Sequence, residues 1–430
     1  MLYHVNSLQP KQIVERTVLD NGIVVITTEN LAADIIATRI FIRAGSLWEP
    51  QEQAGLSNLL SAAIAKGTQQ LSSIEIAEQV ESVGAYLSAD ASIDYFLLSL
   101  KTVAVDWPEI LQLAGQILRS PSFPEAEVEL ERNLTIQEIR SQKEQPFNIA
   151  FDQLRHSVYQ NHRYGISVLG TEATVSNLLI ADLECYYQTY FRPDNIVISI
   201  AGRVTPEEAL AQVKKVFGDW QTNDTPLPKL KLPTFKPQPC QVITQQDTQQ
   251  SILMLGYLAS TVKDADYATL KLLNTYLGSG LSSRLFVELR EKRGLAYEVS
   301  AFYPTRQWES TFVTYIGTAS ENTETAFDGL RKEVERLSDQ LLSQEELLSA
   351  KNKLLGQYAL GKQTNAQLAQ IYGWYETLGL GIEFDKRYQQ EIDQVSPEMV
   401  QAVAQRYLTK PYVSLVGSAQ AIKQLGKVVD

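Results

Sequence analysis

The sequence predicts an α+β protein built from two homologous domains, each a mainly antiparallel sheet covered by helices. Three observations predict this. A proline-rich stretch lies near the middle: Pro226, Pro228, Pro233, Pro237 and Pro239 fall between Gln221 and Cys240, five of the 16 prolines in 430 residues. Proline removes backbone donors and favours extended chain, so residues 221–240 read as a semi-rigid linker. The two flanks also end alike. Tyr190-Phe191-Arg192-Pro193-Asp194-Asn195 precedes the apolar run Ile196–Gly202, and Tyr407-Leu408-Thr409-Lys410-Pro411-Tyr412 precedes Val413–Gly417. Gly202 and Gly417 are 215 positions apart, half the chain. Finally, both flanks open on β-branched runs and continue with helical periodicity. The expected domains are 1–220 and 241–430. A repeat this long means two domains rather than a solenoid.

In order along the chain, Ile23–Thr27 and Ile35–Arg43 read as strands. Gln53–Lys66 places Ala54, Leu56, Leu59, Leu60, Ala63 and Ile64 near the helical period. Ser73 is a candidate cap for the next helix, which carries Ile74, Ile76, Ala77 and Val80. Tyr86–Thr102 alternates like paired strands, and Ala104–Leu118, Glu125–Lys143 and Asn148–Tyr159 read as helices. Pro206–Trp220 is the helix after the closing strand. Gln241–Thr244 and Ile252–Tyr257 open the second repeat as strands. Strands at both ends of a unit, with helices between, suggest a sheet covered on one face.

Composition excludes several classes. Lys and Arg number 38 against 50 Asp and Glu, a net charge of −12, which argues against a nucleic-acid footprint. No stretch approaches a membrane span of roughly 18 apolar residues. The start, Met1–Asn6, lacks a basic segment followed by an apolar run, so a cytoplasmic location is expected. Two cysteines, Cys185 and Cys240, are too few for a disulfide framework or a thiolate zinc site. Cys185 lacks an evident activating neighbour and reads as an inert packed thiol. There are three histidines, His4, His156 and His162. The last two are six apart, not the three or four that would share a helical face.

Familiar nucleophile and phosphate motifs are absent. Gly55-Leu56-Ser57-Asn58-Leu59 lacks the second glycine of a nucleophile elbow. Gly278-Ser279-Gly280-Leu281-Ser282-Ser283-Arg284 lacks the Gly-Lys-Ser/Thr end of a phosphate loop and by itself reads as a flexible turn. Glu131 and Glu138 are seven apart, two helical turns, and share a face. By themselves they suit a solvated acidic stripe.

A family resemblance adds to this. Ala44-Gly45-Ser46-Leu47-Trp48-Glu49-Pro50, with Ala54 to Thr68 and its closing Lys66-Gly67-Thr68, resembles the active-site region of the inverted-zincin peptidases. That family includes the mitochondrial processing peptidases, pitrilysin and insulin-degrading enzyme. Glu131-Arg132 through Glu138-Ile139 resembles its downstream ligand helix. His162-Arg163-Tyr164-Gly165 with Leu169-Gly170-Thr171-Glu172 resembles a recurrent segment, and Tyr190–Asn195 the end-of-domain signature. Ser282-Ser283-Arg284-Leu285-Phe286 with Leu289-Arg290-Glu291-Lys292-Arg293-Gly294-Leu295-Ala296-Tyr297 resembles the second-domain signature. The similarity spans nearly the whole chain, in order.

The zinc helix departs from the family. His-x-x-Glu-His puts two zinc-binding imidazoles and a general-base carboxylate on one helical face. Here those positions are Asn58, Ser61 and Ala62. Asn is a poor zinc ligand, Ala is none, and Ser is no base near neutral pH. Glu138 matches the third-ligand position and Glu131 its acidic helper. The expectation is no zinc or other cofactor in this chain and no hydrolysis by it alone. The second-domain motif is intact. The resemblance implies that Arg290 and Tyr297 reach across from opposite the zinc and stabilise the polarised carbonyl. It also implies a clam-like half of a dimeric chamber, completed by a homologous subunit bearing His-x-x-Glu-His and zinc. Gly278, Ser279 and Gly280 would border that chamber and contact substrate.

On this reading the chain is the non-catalytic, substrate-binding subunit of a heterodimeric peptidase that cleaves unfolded peptides. The alternatives are a structural or assembly scaffold without proteolytic role, or a homodimeric peptide-binding protein. Retention of Arg290 and Tyr297 disfavours a scaffold, which needs no oxyanion clamp.

Overall fold

The computed structural model describes residues 13–222, 224–233 and 237–425. Met1–Asn6, with His4, and positions 223 and 234–236 of the linker lie outside the described residues. The first half of the sequence forms β1 (Val14–Val18), β2 (Val24–Glu29), β3 (Ile35–Ile42), α1 (Leu56–Ala63), α2 (Ser73–Ser82), β4 (Tyr86–Ala91), β5 (Phe96–Val103), α3 (Trp107–Arg119), α4 (Glu125–Glu144), α5 (Pro146–Tyr159), α6 (Glu172–Asn177), α7 (Ile180–Tyr190), β6 (Ile196–Gly202) and α8 (Pro206–Phe217). The second half forms β7 (Gln241–Gln245), β8 (Gln250–Ala259), α9 (Tyr267–Gly278), a π-helical segment Phe286–Glu291, β9 (Glu298–Phe302), β10 (Ser310–Ala319), α10 (Thr323–Asp339), α11 (Gln344–Leu360), α12 (Asn365–Thr377), α13 (Phe384–Gln394), α14 (Pro397–Tyr407), β11 (Tyr412–Gly417) and α15 (Ala419–Leu425).

The strand order is β1-β2-β6-β3-β5-β4 in one sheet and β7-β11-β8-β10-β9 in the other. Leaving out β1, the orders correspond strand for strand. β2 with β6 and β7 with β11 are parallel, and the other pairs are antiparallel. This mixed α+β architecture agrees with the class expected from sequence.

The compact units do not follow the contiguous halves. One comprises 1–133, 175–229 and 361–382; the other comprises 134–174, 230–360 and 383–430. The domains 1–220 and 241–430 are corrected accordingly: α12 belongs with the first sheet and α5 with the second. The single covered face is corrected too.

In the first unit β3 alternates. Ile36, Ile40 and Ile42 join Leu59, Leu60, Ile110, Leu111 and Ile117 in a core beneath α1 and α3. Trp107, at the start of α3, donates from Nε1 to Thr38 Oγ1 at 3.0 Å. Phe41 points to the other face, against α12. A Cβ at Gly373 would come 2.4 Å from the Phe41 ring, so only glycine lets α12 lie this close. Glu376 of α12 is bidentate to Arg16, at 3.0 and 2.8 Å, with Arg43 at 3.7 Å. Asn365 donates to Ile35 O at 2.8 Å. One local expectation shifts: Ser72, not Ser73, caps α2, in a capping box with Glu75.

In the second unit α5 lies on β8 and β11 in the same manner. Leu154 packs where a Cβ on Gly256 would intrude at 2.8 Å. Gln153 Nε2 donates to Ser414 Oγ at 2.7 Å, and Ser414 Oγ donates to Ala150 O at 2.7 Å. Among the described residues no helix is long and apolar enough to cross a membrane.

Candidate functional site

Helix α1 begins abruptly. Gly55 adopts φ +98°, a left-handed conformation that interrupts the expected helix Gln53–Lys66 and starts α1 at Leu56. The orphan amides of that start are taken by Glu49, whose buried carboxylate accepts from Gly55 N at 2.9 Å and Ser57 N at 2.6 Å. Charge-assisted bonds of this kind contribute about 1.5–3 kcal/mol each. The only signal of Glu49 in the sequence is a carboxylate seven positions before the helix start.

Asn58 and Ala62 are half-buried and one turn apart, and Ser61 is buried between them. Ser61 Oγ donates to Asn58 O at 2.8 Å, a local backbone bond and not an active nucleophile's geometry. Glu131 on α4 is half-buried and forms a 2.7 Å ion pair with Lys66. The lysine of Lys66-Gly67-Thr68 therefore neutralises the acidic helper, a role the sequence reading did not assign. Glu138 on the same helix is exposed and accepts from Gln142 at 3.3 Å. Zinc needs several N, S or O ligands converging on a point. An amide, a hydroxyl already engaged with backbone and a methyl group on α1 do not fit it. Among the described residues no group of three or more His, Cys, Asp or Glu is placed to hold a metal.

The second-domain motif is built differently. Arg290 sits in the π-helical segment Phe286–Glu291, a rare geometry often found at functional positions. It is exposed, with its guanidinium 5.0 Å from the Phe286 ring centroid. Tyr297 precedes β9, is 60% exposed, and donates its backbone N–H to Gly317 O at 2.9 Å. Arg290 and Tyr297 share no hydrogen bond among the described residues. Their support is ionic. Buried Glu333 of α10 receives Arg284 at 2.8 Å and Arg293 at 3.5 Å. Glu288 receives Lys292 at 2.7 Å and Arg284 at 3.2 Å, and these cations hold its carboxyl below the usual range. The charges on both sides of Arg290 are thus tied, while Arg290 itself projects outward.

The glycine-rich loop is a latched turn, not a flexible one. Lys353 of α11 donates to Ser279 O and, at 3.1 Å, to Ser282 Oγ. Gln357 donates to Ser279 Oγ at 2.9 Å, and Ser300 Oγ to Gly278 O at 2.8 Å. A Cβ at Gly278 would stand 2.0 Å from Ala301 N. Gly280, at φ +71°, makes the turn.

Two other motifs turn out to be architectural. Arg192 is bidentate to Asp194 at 2.6 and 2.9 Å and donates to Thr225 O, locking the corner before β6. His162 is buried, and its Nδ1 accepts from Tyr164 N at 3.0 Å. Burial and nearby Arg163 lower its pKa to about 4. His156 is exposed. Cys185 is exposed, as is Cys240, which corrects the packed reading.

These features match a known family. Residues 24–172 match the family model described as Insulinase (Peptidase family M16), and residues 177–354 match Peptidase M16 inactive domain. The chain belongs to the M16 peptidase family. The first match contains α1 and the Glu131/Glu138 helix, and the second contains Arg290 and Tyr297. Curated relatives include an uncharacterized zinc protease of Bacillus subtilis, 27% identical over 408 residues, covering 93% of this chain and 97% of that one. Another, from Streptomyces coelicolor, is 27% identical over 429 residues, covering 97% and 92%. Among solved structures, a protease from Helicobacter pylori superimposes with TM-score 0.89 at 22% identity, covering 94% of this chain and 99% of that one. A peptidase M16 inactive domain from Pseudomonas fluorescens gives 0.88 at 23% identity, covering 94% and 98%. At these identities the structural neighbours show the M16 fold alone.

Proposed function

We propose that this M16 chain is the non-catalytic, substrate-binding subunit of a heterodimeric zinc peptidase acting on unfolded peptides. The observation that carries the reading is an asymmetry. The α1 face offers Asn58, Ser61 and Ala62 where catalysis needs ligands and a base. Arg290 and Tyr297 remain intact and exposed, while the neighbouring Arg284 and Lys292 are paired with Glu333 and Glu288. Guanidinium and phenol are both donors. Donors aimed at a developing oxyanion lower an acyl-transfer barrier, and one such donor contributes about 2.7–4 kcal/mol. A homologous subunit would bring zinc, both imidazoles and the general base. Arg290 and Tyr297 would bind and polarise the peptide carbonyl from this side. No step of the reaction is assigned to zinc in this chain.

The test is hydrolysis of a quenched-fluorescent peptide by a homologue from the same source that retains His-x-x-Glu-His, titrated with this chain. The expected result is activity rising to saturation near one equivalent. A flat titration, with the homologue equally active alone, would overturn the proposal.

A further inference from the structure

The first unit carries an open pocket that none of the M16 motif residues line. Its volume is about 420 Å³, and its lining includes Arg39, Tyr95, Gln370, Ile371 and Trp374. The size falls at the low end for ligand sites, suited to one or two residues rather than a large cofactor. The sequence builds it from two sources. On β3, Arg39 stands on the same face as Phe41, beside α12 and opposite the Ile36/Ile40/Ile42 core face. Arg39 is the charged residue in an otherwise apolar and small-residue register of that strand. On α12, Ala366, Gln367, Gln370, Ile371 and Trp374 fall at helical spacing and form one wall. The opposite edge of that helix is fixed to the sheet by Gly373 and Glu376, so the wall is rigid.

Arg39 is the unusual group. It is half-buried, and its Nη1 donates to Thr38 O at 3.2 Å and Leu100 O at 3.4 Å. Burial pulls its pKa below the usual value, and Tyr86 and Asp90 on the edge strand act in the opposite direction. No carboxylate lies within ion-pair distance of it among the described residues. A partly desolvated guanidinium usually has a carboxylate partner, and its planar fork is made for one. Here one nitrogen is used on two long bonds, and the rest of the fork faces a pocket walled by an indole, a phenol ring and an isoleucine.

We infer that this pocket binds the C-terminal end of a peptide with a large apolar or aromatic last residue, its carboxylate on Arg39 and its side chain against Trp374, Tyr95 and Ile371. The carboxylate supplies a countercharge at ion-pair distance, and the apolar side chain covers the indole. The Gln370 amide is free to meet the peptide bond. This goes beyond the proposed role in proteolysis, because it concerns binding by this chain alone and requires neither a partner nor cleavage.

The experiment uses the full chain and fluorescence polarisation of N-terminally labelled Ala-Ala-Leu-Phe, as the free acid and as the C-terminal amide. The expected result is that the acid binds at least ten-fold more tightly than the amide. Arg39→Met should reduce the acid to the amide's affinity and leave the amide unchanged. Ala366→Trp, which fills the pocket and leaves Arg39 unsubstituted, should abolish binding of both. Equal affinity of acid and amide for the unaltered protein would overturn the inference, and that comparison needs no variant to fold. Discrimination that survives Arg39→Met in a folded variant would overturn it as well, as would absence of binding at millimolar peptide. The hydrolysis titration is independent, so failure of one reading leaves the other standing.

Discussion

Helix α1 in the first half of the chain and the Gly278–Tyr297 region in the second present opposite chemistry. Around α1, Glu49, Glu131 and Lys66 all have internal partners. Glu49 holds the helix amides, Glu131 holds Lys66, and Ser61 holds the Asn58 carbonyl. In the second region the supporting charges are paired, through Glu288 and Glu333, yet Arg290 and Tyr297 are left at the surface. Polar groups that close on themselves stabilise the fold but are not available to a ligand, whereas exposed donors such as Arg290 and Tyr297 are available to one.

The largest expected effect breaks this comparison directly. In the heterodimer proposed above, Tyr297→Phe or Arg290→Ala should lower kcat by about 100-fold to 1,000-fold, the cost of one oxyanion donor. Thermal melting and assembly should be unchanged, because both side chains are exposed. Steady-state kinetics and gel filtration measure the two together. Unchanged turnover would reduce the Arg/Tyr pair to surface decoration.

A second experiment asks whether α1 has lost only its ligands. Asn58→His with Ala62→His restores an i, i+4 imidazole pair on one helical face. The double variant should retain zinc after gel filtration, while the unaltered chain should be metal-free by elemental analysis and indifferent to chelators. Stoichiometric zinc in the unaltered chain would show that the donor set has been misjudged.

Third come the supports. Glu49→Gln leaves a weaker acceptor for two buried amides and should cost about 2–3 kcal/mol by denaturant unfolding. Gly278→Ala, whose new methyl would meet the Ala301 backbone at 2.0 Å, should cost roughly 1–3 kcal/mol through overpacking. A loss from Glu49→Gln smaller than that from an exposed control such as Glu138→Gln would refute the capping role.

Much of this was legible in sequence because it is local. Strand alternation, capping signals and the duplicated corners at Asn195 and Tyr412 announce themselves within a few residues. The α1 positions and the Arg290/Tyr297 spacing were legible by resemblance. What escaped was long-range. Nothing near Pro146 or Asn365 says that α5 and α12 pack on the sheet of the other sequence half; their partners lie far away in the chain, at Ser414 and Phe41. The Lys66–Glu131 pair, the Glu49 cap and the pocket floor at Arg39 depend on the same kind of tertiary placement. The latch on Ser279 comes from Lys353, 74 residues later. A glycine-rich string read alone suggests an unsupported turn, and the lysine ties it to α11.

The smallest expected effect concerns His162, and it extends the comparison from ligand sites to architecture. Its imidazole is buried and its Nδ1 accepts the Tyr164 amide, which requires the neutral form. The folded pKa is lowered to about 4, from an ordinary value near 6.5 in the unfolded chain. Between these values the unfolded state binds the extra proton. Stability contributed by neutral His162 is therefore complete above about pH 6.5 and is lost as pH falls toward 4. His162→Asn keeps an acceptor near the Nδ1 position and removes the titration. Melting temperatures of the two proteins should converge as pH is lowered from 6.5 to 4.5, because only the unaltered chain loses this contribution. Parallel pH profiles would mean that the protonated imidazole is tolerated in place, and that the histidine of the matched His162-Arg163-Tyr164-Gly165 segment is not held there as a neutral backbone acceptor.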